Sequence, residues 1–304
     1  MTPWYREYSD FLAEHFDGKI QKLSVDAAFT CPNRDGSIGT GGCTYCNNLS
    51  FSPMSDKRGS TVAEQIARGK EFFARKYPAL RYLAYFQSYT STHGNIDRLM
   101  ALYAEAAAQP GVVGLVIGTR PDCMPSELLE RLKTLNTIIF IEFGAESSHD
   151  ATLRRINRGH TWQQVEDAVE RTVAAGFPVG LHFILGLPGE DREMMLATVR
   201  RASQLPISTI KFHQLQILRN TRMAQQYEEG ELPGIMQFSP ESYAALCADI
   251  LEVLRPDIAV DRFVASAPAD LLIAPRWGLK NYQFTAILHN KMKDRRCRNA
   301  ETRP

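Results

Sequence analysis

The chain has 304 residues, 44% hydrophobic and 23% charged, with a formal net charge of +1. Such a length can bury a large core, as one large domain or two modest ones, and so small a net charge excludes a partner chosen by global electrostatics. The start of the chain lacks the pattern of a signal peptide, and apolar runs such as Val112–Gly118 are far too short to span a bilayer, so a soluble cytoplasmic protein with no membrane partner is expected.

Short apolar segments alternate with amphipathic ones from about residue 20 to 235. Strands are expected near Leu23–Ala28, Tyr82–Phe86, Val112–Ile117, Thr137–Ile141, Val179–Leu185 and Thr209–Leu215. The first helix between them opens on the capping box Thr61-Val62-Ala63-Glu64, and others are expected over Ile96–Ala108, Ser126–Leu135, Trp162–Ala175 and Glu193–Leu205. Strands each followed by a helix imply a parallel sheet with helices outside, either curled into a barrel or open and doubly wound. Polar clusters at several strand ends favour an α/β fold of the partial (β/α)6, TIM-like barrel type, because ligands gather at the carboxyl ends of parallel strands. Beyond this region a helix over Pro240–Leu254, a strand near Ala259–Ala265 and a helix over Tyr282–Lys293 are expected. The implied organisation is an N-terminal segment 1–20, a core 21–235 with a long loop 30–58, and a C-terminal extension 236–304. The N-terminal aromatics Trp4, Tyr5, Tyr8 and Phe11 read as core packing.

The long loop carries Cys31, Cys43 and Cys46, whereas Cys123, Cys247 and Cys297 are isolated. In a reducing compartment clustered cysteines point to metal binding or catalysis rather than disulfides. Gly36, Gly39, Gly41 and Gly42 let the backbone fold tightly around a bulky object, and Cys43-Thr44-Tyr45-Cys46 sets two thiolates on one side of a turn. Buried free thiols, a zinc site completed by a distant histidine, and an iron–sulfur cluster with one iron lacking a protein ligand all remain open on the spacing.

With this loop the chain resembles the radical S-adenosylmethionine (SAM) enzymes, whose signature pair Cys43-Thr44-Tyr45-Cys46 matches, with Tyr45 as the aromatic before the last cysteine. The spacing of eleven residues between Cys31 and Cys43 is wider than that superfamily's common three, and resembles the subgroup related to the Elongator catalytic subunit, most closely the YhcC/YtqA-type proteins. The blocks "CPNRDG", "GGCTYCN", "YLAYFQSYTST", "GTRPDC", "TLRRINRGH", "LGLPGE" and the Leu272–Trp277 segment match in order over nearly the whole chain. The resemblance implies a [4Fe–4S] cluster on Cys31, Cys43 and Cys46 with SAM on the fourth iron, and radical chemistry at a 5′-deoxyadenosyl group. It also implies a reductase or a flavodoxin- or ferredoxin-type electron donor.

The same resemblance distributes SAM contacts over the strand ends. Gln87, Ser88, Tyr89 and Thr90 stand where many members have a glycine-rich segment that binds the amino group of SAM. Glu146 matches a polar residue near the ribose, Arg158 an arginine that pairs with the SAM carboxylate, and His182 a polar residue near the adenosine, although a satisfied core histidine fits His182 as well. Gly186 and Gly189 would let backbone approach the adenine, and the backbone around Gln214 would stack on it. Arg120 and Asp122 either pair with each other or touch SAM or substrate, and Arg154 and Arg155 read as a solvated helix face. Asn220 suits a left-handed turn, and His160, His213 and Cys123 carry no assigned role.

Kinship with Elongator implies tRNA as substrate, at the side chain of a wobble uridine, with carboxymethylaminomethyluridine converted towards aminomethyluridine. Residues 276–304 carry Arg276, Lys280, Lys291, Lys293, Arg295, Arg296, Arg298 and Arg303 against Asp294 and Glu301. This net +6 beside Trp277, Tyr282 and Phe284 could track phosphates and stack on bases, or be a solvated tail. A radical SAM enzyme acting on a small molecule, and a non-enzymatic zinc-binding RNA module, are the alternatives.

Overall fold

The computed structural model describes residues 4–50, 60–75, 79–232 and 235–301, with side chains to residue 295. Residues 51–58 of the long loop, the last three residues of the basic segment, and the side chains of Arg296, Cys297 and Arg298 lie outside the described set. The strands are β1 Ile20–Val25, β2 Arg81–Phe86, β3 Val112–Thr119, β4 Ile138–Glu146, β5 Val179–Leu185, β6 Thr209–Gln214, β7 Ile217–Leu218, β8 Ala259–Arg262 and β9 Leu272–Ala274. The helices are α1 Tyr8–Ala13, α2 Val62–Ala74, α3 Ile96–Ala107, α4 Ser126–Leu132, α5 Asp150–Arg155, α6 Trp162–Ala174, α7 Arg192–Ala202, α8 Arg222–Glu228, α9 Pro240–Val253 and α10 Asn281–Glu301.

One curled, open sheet runs β1-β2-β3-β4-β5-β6-β8 with every pair parallel, a partial barrel flanked by helices. The six expected strands are all present, and β8 from the C-terminal region adds a seventh beside β6. Helix starts follow side-chain chemistry: Thr61 and Thr161 form reciprocal capping boxes with Glu64 and Gln164, and Asn95, Asp191, Thr221 and Ser239 accept N-terminal backbone bonds. β7 and β9 form a separate antiparallel pair.

Strand alternation sorts the side chains into two environments. Leu23, Val25, Ala84, Phe86, Leu115, Ile117, Ile141, Phe143, Leu181, Phe183 and Phe212 face the helices and form the main core. Each such side chain contributes about 1.5–3 kcal/mol on burial. The alternate positions face inward. Near the amino ends Leu83, Tyr85, Val116, Phe140 and Ala259 pack on Phe11, Leu12 and Phe16, so α1 and the residues after it plug one end of the barrel. Tyr5 meets Phe263 edge-on and Tyr8 lies under the Lys22 ammonium, as expected for core-packing aromatics. Above the plug the interior turns ionic, and above that it opens into a cavity.

Candidate active site

The three clustered cysteines sit on a loop pinned by its own backbone. Arg34 and Asp35 donate their N–H groups to the Cys31 carbonyl, and Gly42 N donates to Asn33 O. At Gly42, with φ of 70°, a Cβ would lie 2.8 Å from the Arg34 guanidinium, which instead reaches across to donate to Cys46 O at 2.8 Å. The loop is then clamped from outside: Thr44 N donates to Ile156 O, Met223 N to Thr44 O, Asn157 Nδ2 to Gly42 O and Asn47 Nδ2 to Arg219 O. Cys31 and Cys43 are buried, Cys46 is half-buried, and all three line the same cavity. Burial pushes the Cys46 thiol up to about 11, with Cys43 adding to the rise and Arg34 opposing it. Among the described residues no three His, Cys, Asp or Glu side chains are grouped to hold a single metal ion.

Arg158 comes to this loop from the turn after α5. Its Nη1 lies 3.8 Å from Cys43 Sγ, its Nη2 donates to Gly144 O at 2.6 Å, and its buried Nε has no partner. Glu146 faces it at 3.6 Å. Both side chains pass over Gly144, where a Cβ would sit 2.8 Å from each and would have to push their ends aside. Burial raises the Glu146 pKa, against the pull of Arg158. Arg120 pairs with Asp122 at 2.8 Å and donates to the Arg158 carbonyl at 2.7 Å, so the expected pair is present and ties β3 to the Arg158 turn, while Arg120 also lines the cavity.

Two non-glycine residues at the cavity hold left-handed backbone, Tyr89 with φ of 56° and Glu146 with φ of 66°. Such conformations cost about 1–3 kcal/mol each and concentrate where a site fixes them. At Tyr89 the N–H is aimed at Asn48 Oδ1, and at Glu146 a register irregularity in the β4–β5 pair displaces the strand. Thr90 is fully buried, and its hydroxyl has no partner. Gln87 donates to Ser24 Oγ at 2.7 Å.

The opposite wall is built from strands. Glu142 on β4 accepts from Lys22 at 2.9 Å, from Lys211 at 3.0 Å and from His182 at 2.8 Å. Asp261 on β8 accepts from Lys22 at 2.8 Å and Lys211 at 3.1 Å. Burial and Lys211 hold His182 down at about 4, and burial pulls the Lys211 ammonium below its usual value while both carboxylates oppose that shift. His213 and Arg262 stand above these groups on the cavity surface.

The cavity therefore gathers Cys31, Cys43, Cys46, Tyr45, Gln87, Tyr89, Thr90, Glu146, Arg158, His182 and Gln214. Ser88 is fully buried and is not on its surface. Gln214 contributes its strand, but its amide is spent on both backbone groups of Ala265. The glycines expected beneath adenine serve packing instead: Gly186 lies against Phe238, and a Cβ on Gly189 would collide with Arg155. Arg155 is not merely a solvated face, since it donates to Pro188 O at 2.6 Å. His160 is buried with its ring nitrogens at Gly144 O and Thr161 O, and Asn220 has the left-handed φ of 62°. In the basic segment Phe284 is fully buried, Trp277 stacks on it and donates to Phe238 O, and Arg295 pairs with Asp249 and Glu252. Phe284 is therefore core, half-buried Trp277 is packed against it, and Tyr282 is the exposed one of the three. Among the described residues no helix is long and apolar enough to cross a membrane. Lys22, Glu142, Asp261 and Arg262 were missed at the sequence level; for Glu142 a single charge in an apolar strand buried on both faces was the signal.

A curled parallel sheet with a three-cysteine loop over its carboxyl end is the arrangement of one enzyme class, and the chain belongs to it: the radical SAM superfamily. The description "Radical SAM superfamily" matches residues 35–202, and "Radical_SAM C-terminal domain" matches residues 207–294. The chain is 33% identical to the uncharacterized protein YtqA of Bacillus subtilis, over 96% of this chain and 90% of that one. It is 38% identical to the protein YhcC of Escherichia coli, over 88% and 85%. A more distant match, 28% identical over 63% of this chain and 42% of the other, is a tRNA uridine(34) acetyltransferase of Dehalococcoides mccartyi. Among solved structures, Elp3 of the archaeon Methanocaldococcus infernus superposes with a TM-score of 0.66 at 14% identity, over 91% of this chain and 63% of that one. The chain thus spans less than two thirds of that protein, and the likeness is one of fold.

Proposed function

We propose that Cys31, Cys43 and Cys46 hold a [4Fe–4S] cluster, that SAM binds beside it in the cavity, and that the substrate is a modified wobble uridine of tRNA. The observation that carries the cofactor assignment is the convergence of three loop thiols with Arg158 and Glu146 at one cavity. The residues fit the group: Arg158 Nε and Thr90 Oγ1 are buried at this surface without partners, the state expected of atoms that wait for a polar ligand. When bound, the cluster supplies the electron that splits SAM into methionine and a 5′-deoxyadenosyl radical, which takes hydrogen from the substrate. Arg158 offers a planar fork to the SAM carboxylate next to the Cys43 thiolate. Glu146 accepts from the ribose hydroxyls, and the Tyr89–Thr90 turn lines the amino-group side. Arg120 holds the Arg158 backbone in place through its carbonyl.

Similarity to a tRNA uridine(34) acetyltransferase supports a tRNA uridine as substrate. The conversion we assign to it is of carboxymethylaminomethyluridine towards aminomethyluridine. Anaerobic reconstitution with iron and sulfide, reduction, and chromatography for 5′-deoxyadenosine test the chemistry. Wild type is expected to release it from SAM, and a wild type that releases none defeats the assignment. Nucleoside profiling of tRNA from a deletion strain tests the substrate; an unchanged wobble-uridine profile removes it.

A further inference from the structure

Of the four arginines that line the cavity, Arg34, Arg120, Arg158 and Arg262, nothing so far assigns the last. Arg262 ends β8, where a register irregularity between Ile210 and Lys211 sets it opposite Lys211, and its side chain lines the cavity. Its neighbour Asp261 does not serve it as an ion-pair partner, because Lys22 and Lys211 occupy that carboxylate. The Arg262 Nε is buried and has no hydrogen-bond partner. Beside it stands His213, held neutral by burial first and by the Arg262 charge second.

A charge count of this wall sharpens the point. Lys22, Lys211 and Arg262 face Glu142 and Asp261, with His182 and His213 neutral, so one positive charge is left over. On the cysteine side Arg158 faces Glu146 and Arg120 faces Asp122, and Arg34 is turned to the Cys46 carbonyl beside the thiols. An uncompensated charge in a partly desolvated wall is costly, and a single anion relieves it.

We infer that Arg262 is the anchor for a carboxylate carried by the substrate, on the wall of the cavity opposite the SAM site. A guanidinium fork matches a carboxylate in both shape and charge, and one surplus charge suits a monoanion better than a phosphate dianion. The inference rests on the proposed function and deepens it: the substrate side chain would enter with its acid group toward β8, which sets the carbons next to that acid between Arg262 and the cluster loop. Arg262 would thereby separate an acidic uridine side chain from its neutral or cationic counterparts.

The test uses the full chain and anticodon stem-loop RNAs carrying carboxymethylaminomethyluridine or its carboxamide. Wild type is expected to bind the acid roughly 10–100-fold more tightly than the amide, the range for a charge-assisted hydrogen bond. Arg262→Gln should reduce that ratio to near one, and Arg262→Lys should restore part of it. Wild type that binds the two RNAs alike overturns the inference without any variant, as does an Arg262→Gln protein that keeps the wild-type ratio. A phosphodiester seated on Arg262 would give the first of those results. Release of 5′-deoxyadenosine by wild type is measured separately, so failure of the cluster chemistry and failure of this anchor are read from different experiments.

Discussion

The two walls of the cavity are built in opposite ways. The cysteine wall is loop: its shape is set by hydrogen bonds that end on main-chain carbonyls, donated by the side chains of Arg34, Asn47 and Asn157 and by Thr44 N, and by left-handed residues at Tyr89 and Glu146. The far wall is strand: its side chains project from β1, β4, β5, β6 and β8 and are tied to each other by ion pairs around Glu142 and Asp261. A loop wall keeps its shape when one ligand-binding side chain is lost, because the backbone holds it. An ionic strand wall does not, because Lys22, Lys211, Glu142 and Asp261 there are satisfied by one another, with Arg262 alone left outside their pairs. Function should therefore be separable from stability on the first wall and inseparable from it on the second.

The sharpest break of that comparison starts with Cys43. Cys43→Ala removes one of three proposed cluster ligands from a loop clamped at Thr44 and Gly42 by backbone bonds that the substitution leaves intact. Release of 5′-deoxyadenosine is expected to fall below detection, while the urea midpoint of the apo protein stays within about 1 kcal/mol of wild type. Undiminished release would remove Cys43 from the site.

Glu142→Gln should behave the other way round. It takes one carboxylate from between two lysines and His182, leaving buried positive charge with only Asp261 to face it. Breaking a buried ion pair from one side costs about 3–5 kcal/mol, visible as a lower urea midpoint at unchanged m-value. A loss under 1 kcal/mol would mean that the ionic layer does not hold the barrel interior together.

The same layer predicts a pH dependence. His182 titrates at about 4 in the folded protein and near the ordinary histidine value of 6.5 when unfolded. Between those values the unfolded chain binds the proton and the folded one does not, so stability is intact above the upper value and drains away as the pH falls toward the lower. A shift of this size is worth about 3 kcal/mol. His160, pulled down to about 3, acts in the same direction, so the contribution of His182 is read as a difference. His182→Gln should flatten the fall between pH 6.5 and 4, and identical slopes for the two proteins would rule out a neutral, buried His182.

How much of this could be read beforehand follows the range of the interactions. Cys31, Cys43, Cys46 and Arg158 lie in short local patterns, and the alternation of strand and helix together with the polar strand ends was enough for the partial barrel. The strand near Ala259–Ala265 was expected but its place in the sheet was not, because Ala259–Arg262 join the barrel only by pairing with β6 some fifty positions earlier in the chain. Arg262 went with it. Trp277 and Phe284 were misread for a related reason: aromatics beside basic residues look like a nucleic-acid platform until α10 is packed on α9, where Tyr243 and Phe238 cover them. Gly189 looked like a ligand contact, yet what approaches its backbone is the side chain of Arg155 from a helix thirty-odd residues earlier.

Arg158→Ala gives the smallest expected effect and the finest distinction between the walls. Its guanidinium has one firm acceptor, Gly144 O, one distant thiol, and an Nε with nothing to bond. If the unspent Nε waits for the SAM carboxylate, removing the side chain should weaken SAM binding by roughly 10–100-fold, the worth of a charge-assisted hydrogen bond. Arg158→Lys keeps the charge but not the fork and should fall in between. Because Glu146 would then be left buried beside Tyr45 without its cation, its carboxyl can take up a proton, which limits the loss of stability. The measurement is titration of SAM into reconstituted protein, with the charge-transfer absorption of the cluster recorded on the same samples. Unaltered SAM affinity with an intact cluster spectrum would show that Arg158 is a strut for Gly144 and the Cys43 turn, and would move the carboxylate site elsewhere on the loop wall.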